Sequence, residues 1–226
     1  LLGVECSGTI TRIGPDVKHF QIGQRVIAMV PGCFARFVCA PSQTTVPMPE
    51  KINFSTGAAL PIAFLTAAYA LHSLGRLQAG ERVLIHAATG GVGQAAIQIA
   101  QRAGAIVFAT ASLGKWSVLK SLGVEYIFDS RTAEFESAIV DLTDGKGVDL
   151  VLNSLRGELT DAGLRLLRPG GRFLEIGITD LRQAEELEQI APGIAYYPID
   201  LMQIYRDDPG ILESLFADIM EQMATD

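Results

Sequence analysis

Cysteine is scarce, with three in 226 residues, at positions 6, 33 and 39. Cys6, Cys33 and Cys39 are too few and too irregularly spaced for a disulfide framework or a zinc knuckle. An odd number of thiols in an acidic chain fits a reducing compartment, so a cytoplasmic location is expected. Basic residues are also few. Against 25 Asp and Glu stand 18 Lys and Arg, a net charge of −7 with no basic run, which argues against a nucleic-acid partner. Long apolar stretches are missing too. The longest, Ala58 to Leu71, contains Pro61 and Thr66 and stops at His72, short of the roughly 20 residues a bilayer span needs, so no membrane association is expected. There is no low-complexity segment, and no signal peptide, since residue 1 already begins a strand-like run. The missing initiator methionine reads as a piece of something longer. What the chain does have is 49% hydrophobic residues and 23 glycines, enough for a folded core with many tight turns and backbone-lined sites.

Two patterns follow one another along the chain. Val4 to Ile13, Arg25 to Val30 and Phe34 to Ala40 read as strands punctuated by Gly14-Pro15, Gly23 and Pro31-Gly32. Pro47 and Pro49 close this part, and helical spacing follows from Ser55 to Leu74. After Gly80 the chain alternates. Strands are expected at Arg82 to Ala87, Ala105 to Thr110, Glu125 to Phe128, Val148 to Leu152 and Arg172 to Ile176. Helices are expected at about Gly91 to Ala103, Lys115 to Leu122, Ala133 to Leu142 and Glu158 to Leu167, with a last helix over Pro209 to Met223. Short apolar strands alternating with helices predict an α/β fold with a doubly wound parallel sheet covered on both faces. The expected division is residues 1–55 in a β domain and 56–226 in the α/β domain.

The segment from Arg82 to Ala96 carries the most chemistry. Gly91-Val92-Gly93-Gln94-Ala95-Ala96 fits G-x-G-x-x-G/A directly after a strand and at the opening of a helix. Thr89, Gly90, Gly91, Val92 and Gly93 would let the backbone turn tightly and approach a pyrophosphate, over which a helix N-terminus presents free N–H groups. A side chain at Gly93 would then occupy the pyrophosphate's space. The alternative is that these glycines serve turn geometry alone. The second strand ends without the carboxylate expected for a ribose with a free 2′-hydroxyl. Ser112 and Lys115 stand there instead, and Arg131 follows the third strand. These groups attract a 2′-phosphate, so NADPH is expected over NADH. For Lys115 the plain alternative is a solvated lysine at a helix start.

Gly3-Val4-Glu5-Cys6-Ser7-Gly8, Phe64-Leu65-Thr66-Ala67, His86-Ala87-Ala88 before the glycines, Val151-Leu152-Asn153-Ser154-Leu155 and Gly171-Arg172-Phe173-Leu174-Glu175-Ile176-Gly177 carry a resemblance. Together they resemble the enoyl reductase domain of modular polyketide synthases, a zinc-free branch of the medium-chain dehydrogenase/reductase superfamily that is similar to the enoyl reductase of animal fatty acid synthase. The resemblance spans essentially the whole chain. It implies a Rossmann domain beside a partial GroES-like substrate domain, with the family's first strands and its C-terminal return segment missing. It also implies that Thr66, Asn153, Leu155 and Gly177 lie near the nicotinamide and its ribose. Thr66 would offer a hydroxyl to the carboxamide, or else bond back to its own helix. Zinc-dependent members carry G-H-E-x-x-G, but here Val4 takes the histidine's place, so no metal is expected and Cys6 reads as a small buried thiol. His86 reads as a hydrogen-bonded core histidine, and His19 and His72 as surface residues. In the family a lysine directly after Ile-Gly pairs with an aspartate some twenty residues on to deliver a proton. Asp200 stands at that distance as the catalytic candidate, or else as a helix N-cap. The lysine position holds Ile178, which cannot donate a proton.

The resemblance implies NADPH-dependent reduction of an α,β-unsaturated acyl thioester carried on the phosphopantetheine arm of an acyl carrier protein, in a multifunctional enzyme with neighbouring polyketide synthase domains. Three alternatives stay open: a cyclopropanase acting on a γ-chloro enoyl thioester, a zinc-free quinone oxidoreductase, and a non-catalytic NADPH-binding module.

Overall fold

The structure, a computed structural model, describes residues 2–225; Leu1, where the strand-like run was expected to begin, and Asp226 lie outside the described residues. The chain forms two compact units, residues 1–65 with 201–226, and residues 66–200.

The first unit is built on a three-stranded antiparallel sheet of β1 (Glu5–Thr9), β2 (Arg25–Met29) and β3 (Thr45–Pro47), with Glu5 opposite Met29 and Val26 opposite Pro47. The expected strand over Phe34 to Ala40 does not form. That segment is irregular, and Phe34 and Phe37 are 80% and 67% exposed, so its apolar residues have no sheet face to bury. The partner of β2 is instead Thr45–Pro47, shorter and bounded by prolines. The helical stretch expected from Ser55 is divided. After α1 (Phe54–Ala58), capped by the Asn53 side chain, Pro61 starts α2 (Pro61–Ala68) at the position where a missing N–H costs nothing. The Glu5 carboxylate accepts from the Ile62 N–H at 2.9 Å, which caps α2. Arg25 ties the connection to α1 in place, donating to the carbonyls of Glu50 and Ile52 and stacking its guanidinium over Phe54 at 4.9 Å.

The second unit is a six-stranded parallel sheet. Its strands and helices are β4 (Arg82–Ile85), α3 (Gly91–Arg102), β5 (Ile106–Ala111), α4 (Trp116–Ser121), β6 (Tyr126–Asp129), α5 (Glu134–Leu142), β7 (Val148–Asn153), α6 (Glu158–Arg165), β8 (Leu167–Glu175), α7 (Ala184–Ile190) and β9 (Ala195–Pro198). A π-helical turn at Tyr69–Leu74 continues α2. The strand order is β6-β5-β4-β7-β8-β9, so the chain leaves β4 in one direction and returns to its other side at β7. That reversal between β4 and β7 is the switch point at which a doubly wound sheet opens a crevice beyond its carboxyl ends. Five strands match the expectation. The sixth, Ala195-Tyr196-Tyr197-Pro198, lies at the sheet edge, where a proline can end a strand without costing a ladder bond. Leu84, Val151, Phe108 and Phe173 fill one core with Phe135, Ile139 and Leu164 from the helices, each removed from water and contributing roughly 1.5–3 kcal/mol.

Two helices complete the chain, α8 (Leu201–Asp207) and α9 (Pro209–Thr225). They were expected with the α/β domain but belong to the first unit, as do residues 56–65. There α9 packs on β3 and the 3-10 turn Ser42–Thr44, burying Leu212, Leu215 and Phe216. An amphipathic period shows that a helix has a buried face, not which unit receives it. Among the described residues, no helix is long and apolar enough to cross a membrane.

Candidate functional site

Because all six strands of the second unit run parallel, the loops after β4, β5, β6, β7 and β8 collect along one edge of the sheet. Three groups of expected site residues stand there.

The first group is the glycine turn. His86 follows β4, and Ala87 takes a left-handed backbone at φ 46°, a strained position for a residue with a Cβ. The Gly90 N–H closes the turn on the Ala87 carbonyl at 2.8 Å, and Gln94 Nε2 holds the Thr89 carbonyl at 2.9 Å. Helix α3 then opens with no side-chain cap and no acidic residue in its first turn. A twelve-residue helix with exposed Gly90 and Gly91 at an uncapped amino end fits a phosphate-bearing ligand. Gly93 is also constrained by the turn itself. A Cβ there would lie 2.6 Å from Ala88 Cα and 2.7 Å from the Ala87 carbonyl oxygen, so the glycine is needed for the helix to close on its own turn.

The second group follows β5 and β6. Ser112 begins the 3-10 turn Leu113–Lys115, and Trp116 anchors it by donating from Nε1 to the Ala111 carbonyl at 3.0 Å. Lys115 and, after β6, Arg131 are exposed. The register sets Ala111 beside Asp129, so a carboxylate does stand near the end of β5, delivered by the neighbouring strand. Its Oδ1 accepts the Arg131 N–H at 3.1 Å. Spacing along the second strand alone could not reveal it.

The third group follows β7 and β8. Asn153 has no exposed surface. Its Oδ1 accepts the Leu155 N–H at 3.1 Å, while its Nδ2 donates to Glu175 Oε2 at 2.7 Å and, more weakly, to the Leu155 carbonyl and Thr160 Oγ1. Glu175 Oε1 accepts the Gly177 N–H at 2.6 Å. Asn153 therefore spends its amide on holding the loop after β7, while Leu155 and Gly177 remain half-buried at the edge. Burial pushes the Glu175 carboxyl up to about 7, against the lowering effect of these two donors. The Ser154 hydroxyl beside it is buried without a partner among the described residues. Just outside, Arg182 bridges Asp161 and Asp180 at 2.8 Å each and donates to the Gly157 carbonyl, while Asp180 accepts the Gly157 N–H at 2.7 Å. The Gly157 N–H, then Arg182, hold the Asp180 carboxyl below its usual range. In the sequence Glu175 stands out only as part of the Gly171 to Gly177 motif. Its role is invisible in sequence because its partner lies 22 residues away.

The remaining expected residues are scattered. Thr66 is buried on α2. His86 is buried, with Nδ1 2.9 Å from Thr110 Oγ1 and its ring edge-on to Phe135; burial drives it down to about 3, so it stays neutral. Ile178 is 72% exposed. Asp200 is exposed immediately before α8, at the N-cap position. In the first unit, burial and then Cys33 push the Cys6 thiol up to about 11, while Cys33 donates to the Glu5 carbonyl.

The alcohol dehydrogenase GroES-like domain family matches residues 1–50, and the zinc-binding dehydrogenase family matches residues 91–218. The pikromycin polyketide synthase component PikAII of Streptomyces venezuelae is 48% identical over 203 residues, 89% of this chain and 5% of that protein. The solved CurK enoyl reductase aligns over 98% of this chain and 67% of its own, with a TM-score of 0.95 and 43% identity. The CurF ER cyclopropanase from the curacin A biosynthetic pathway aligns over 99% of this chain and 67% of its own, with a TM-score of 0.93 and 40% identity. The chain thus spans a small fraction of the synthase component and about two thirds of each solved domain.

Proposed function

Since the chain belongs to the enoyl reductase domains of polyketide synthases, in the medium-chain dehydrogenase/reductase superfamily, we propose that it reduces an α,β-unsaturated acyl thioester with NADPH. The observation that carries this reading is the uncapped amino end of α3 beside the switch point between β4 and β7. A bound nicotinamide would supply hydride to the β-carbon of the enoyl group. The chain's own residues bind and orient. The turn from Thr89 to Gly93 receives the pyrophosphate, Ser112, Lys115 and Arg131 receive the 2′-phosphate, and the Leu155 and Gly177 loops face the nicotinamide end. Two cations outweigh Asp129, whose carboxylate is already engaged by the Arg131 N–H. The acyl group would arrive on the phosphopantetheine arm of a carrier protein within the same synthase. Lys115→Ala tests the cofactor choice. NADPH affinity should fall about tenfold and NADH affinity little, because only NADPH carries the phosphate. Equal losses for both would remove the 2′-phosphate reading.

Ile178 favours a second reading. An exposed isoleucine where the family's proton-donating lysine is expected leaves the α-carbanion without that acid, a loss typically worth 10²–10⁴-fold in rate. Asp200 in its protonated form or water then remains as the donor. With a γ-chloro enoyl thioester, the carbanion can instead form the ring bond as chloride leaves the γ-carbon with the bonding pair, and no proton is needed. Similarity to the reductase and to the cyclopropanase is nearly equal and does not decide between them. Supplying both thioesters to the wild type and to Ile178→Lys decides it. Cyclopropane that gives way to simple saturation when lysine is restored supports the second reading, and saturated product alone, at equal rates, eliminates it.

A further inference from the structure

Glu175 is a buried acid for which the proposed chemistry has no use. It is 1% exposed, sits at the last residue of β8, and receives two hydrogen bonds from two loops, one from Asn153 at the end of β7 and one from the Gly177 backbone. A carboxylate only accepts, and both of its partners only donate toward it, so the contact has one polarity. That polarity propagates. With Nδ2 committed to Glu175, Asn153 must turn Oδ1 to the Leu155 N–H, which fixes the first turn of the loop after β7. On the other side, Gly177 lies so close that a Cβ would meet Glu175 Oε1 at 2.7 Å and displace the carboxylate from its place under the loop after β8.

We propose that Glu175 is a positioning residue that sets the hydrogen-bond direction of Asn153 and the Gly177 backbone and so aligns the two loops facing the nicotinamide half of the cofactor. The inference rests on the nicotinamide-dependent reading above and deepens it. Keeping an acid in this place is costly, since burial raises it to about 7, and a neutral amide would suit a merely structural site better. The charged and titratable groups around it are Asp180, Arg182 and Tyr196, and the Asp180 and Arg182 charges are locked in their own bridge.

The test separates the two halves of the ligand. NADPH contacts both the glycine turn and the two loops, whereas 2′,5′-ADP reaches only the glycine turn and the phosphate site. Glu175→Gln turns one of its two contacts into a donor facing a donor, and Asn153→Asp sets two carboxylates against each other. The double variant Asn153→Asp/Glu175→Gln reverses the polarity and keeps the same total charge, so the 153–175 contact and the Gly177 N–H contact are again complementary, and only the weaker contact to the Leu155 carbonyl is lost. Each single variant should weaken NADPH about tenfold in a fluorescence titration while leaving 2′,5′-ADP within about twofold, and the double variant should recover most of the loss. The wild type should also lose NADPH affinity relative to Glu175→Gln as pH falls below 7, because protonation removes an acceptor. Equal weakening of both ligands together with a lowered melting temperature would make Glu175 a general structural residue and overturn the proposal. Unchanged NADPH affinity in Glu175→Gln would overturn it as well. A wild type that binds neither ligand would defeat the cofactor reading itself and this proposal with it.

Discussion

At the amino ends of the strands, charge is neutralised by charge. Arg172 makes a bidentate pair with Glu81 at 2.7 and 3.0 Å and donates to the Gly75 carbonyl, and Arg168 pairs with Asp149, which also accepts the Arg82 N–H. Burial raises the Glu81 carboxyl, but the Arg172 hydrogen bonds, the Gln78 N–H and the nearby charges outweigh it and hold the acid below its usual range. At the carboxyl ends the Arg182 bridge to Asp161 and Asp180 lies just outside, while several buried groups stand without a charged partner. His86 is buried with Nε2 unbonded among the described residues, Glu175 has only neutral donors bonded to it, Ala87 is strained, and α3 is uncapped. One edge of the sheet minimises its own free energy, and the other leaves polar groups and backbone in states that a ligand can use.

The largest expected effect breaks the carboxyl edge. In Gly93→Val the new side chain would collide with the backbone of Ala87 and Ala88, which cannot move away as a flexible side chain would. The loss should be about 3 kcal/mol or more, read as a lowered urea midpoint, with cofactor binding lost because the turn is lost. A variant of wild-type stability that merely fails to bind NADPH would show that Gly93 guards ligand space after all.

Arg172→Met tests the amino edge. It removes the cationic partner of a pair whose side chains are 17% and 15% exposed, leaving Glu81 with only Arg168 at 3.7 Å and the Gln78 N–H, and the Gly75 carbonyl without its donor. Partial exposure holds the expected cost to about 2–3 kcal/mol, and NADPH affinity should not change. A loss of affinity without loss of stability would erase the division between the edges.

That division was partly legible in the sequence. The glycine turn is local, seven residues from Ala87 to Gly93 with a strand before and a helix after, so periodicity and glycine spacing suffice to place it. The sixth strand and the Thr45–Pro47 strand escaped because each is four residues or fewer and bounded by proline, too short for alternation to register. The Phe34 to Ala40 segment has strand composition but joins neither outer strand of the three-stranded sheet, and β-propensity yields to tertiary context. Asp129 beside Ala111 and Glu175 on Asn153 depend on register between strands, which no single stretch of sequence carries. Polarity at the two edges is a property of pairing, and it appears only once the sheet is assembled.

The smallest effect sharpens the comparison through pH. His86 is held neutral down to about 3, whereas an unfolded histidine protonates near 6.5. Its folded pKa is depressed, so the unfolded chain takes up the proton first. The contribution is complete above pH 6.5 and declines as pH falls toward 3, by about 2 kcal/mol at pH 5. Glu175 moves oppositely. Its folded pKa is raised to about 7 from 4.5, so its contribution is full below 4.5 and is lost as pH rises through 7. Over pH 5–7 the two nearly cancel in the wild type, and a flat profile there would hide both. Glu81, with a depressed pKa, weakens the fold only as pH falls below about 4.5, so the amino edge stays silent in this window. The double variant His86→Leu/Thr110→Val removes the ring and the hydroxyl that would otherwise lose its partner. Urea unfolding at pH 7 and pH 5 should then show the variant gaining about 2 kcal/mol relative to the wild type on acidification, because only the Glu175 contribution remains. Parallel profiles for the two proteins would mean that His86 is not held neutral in the fold, and that the carboxyl edge is as well compensated as the other.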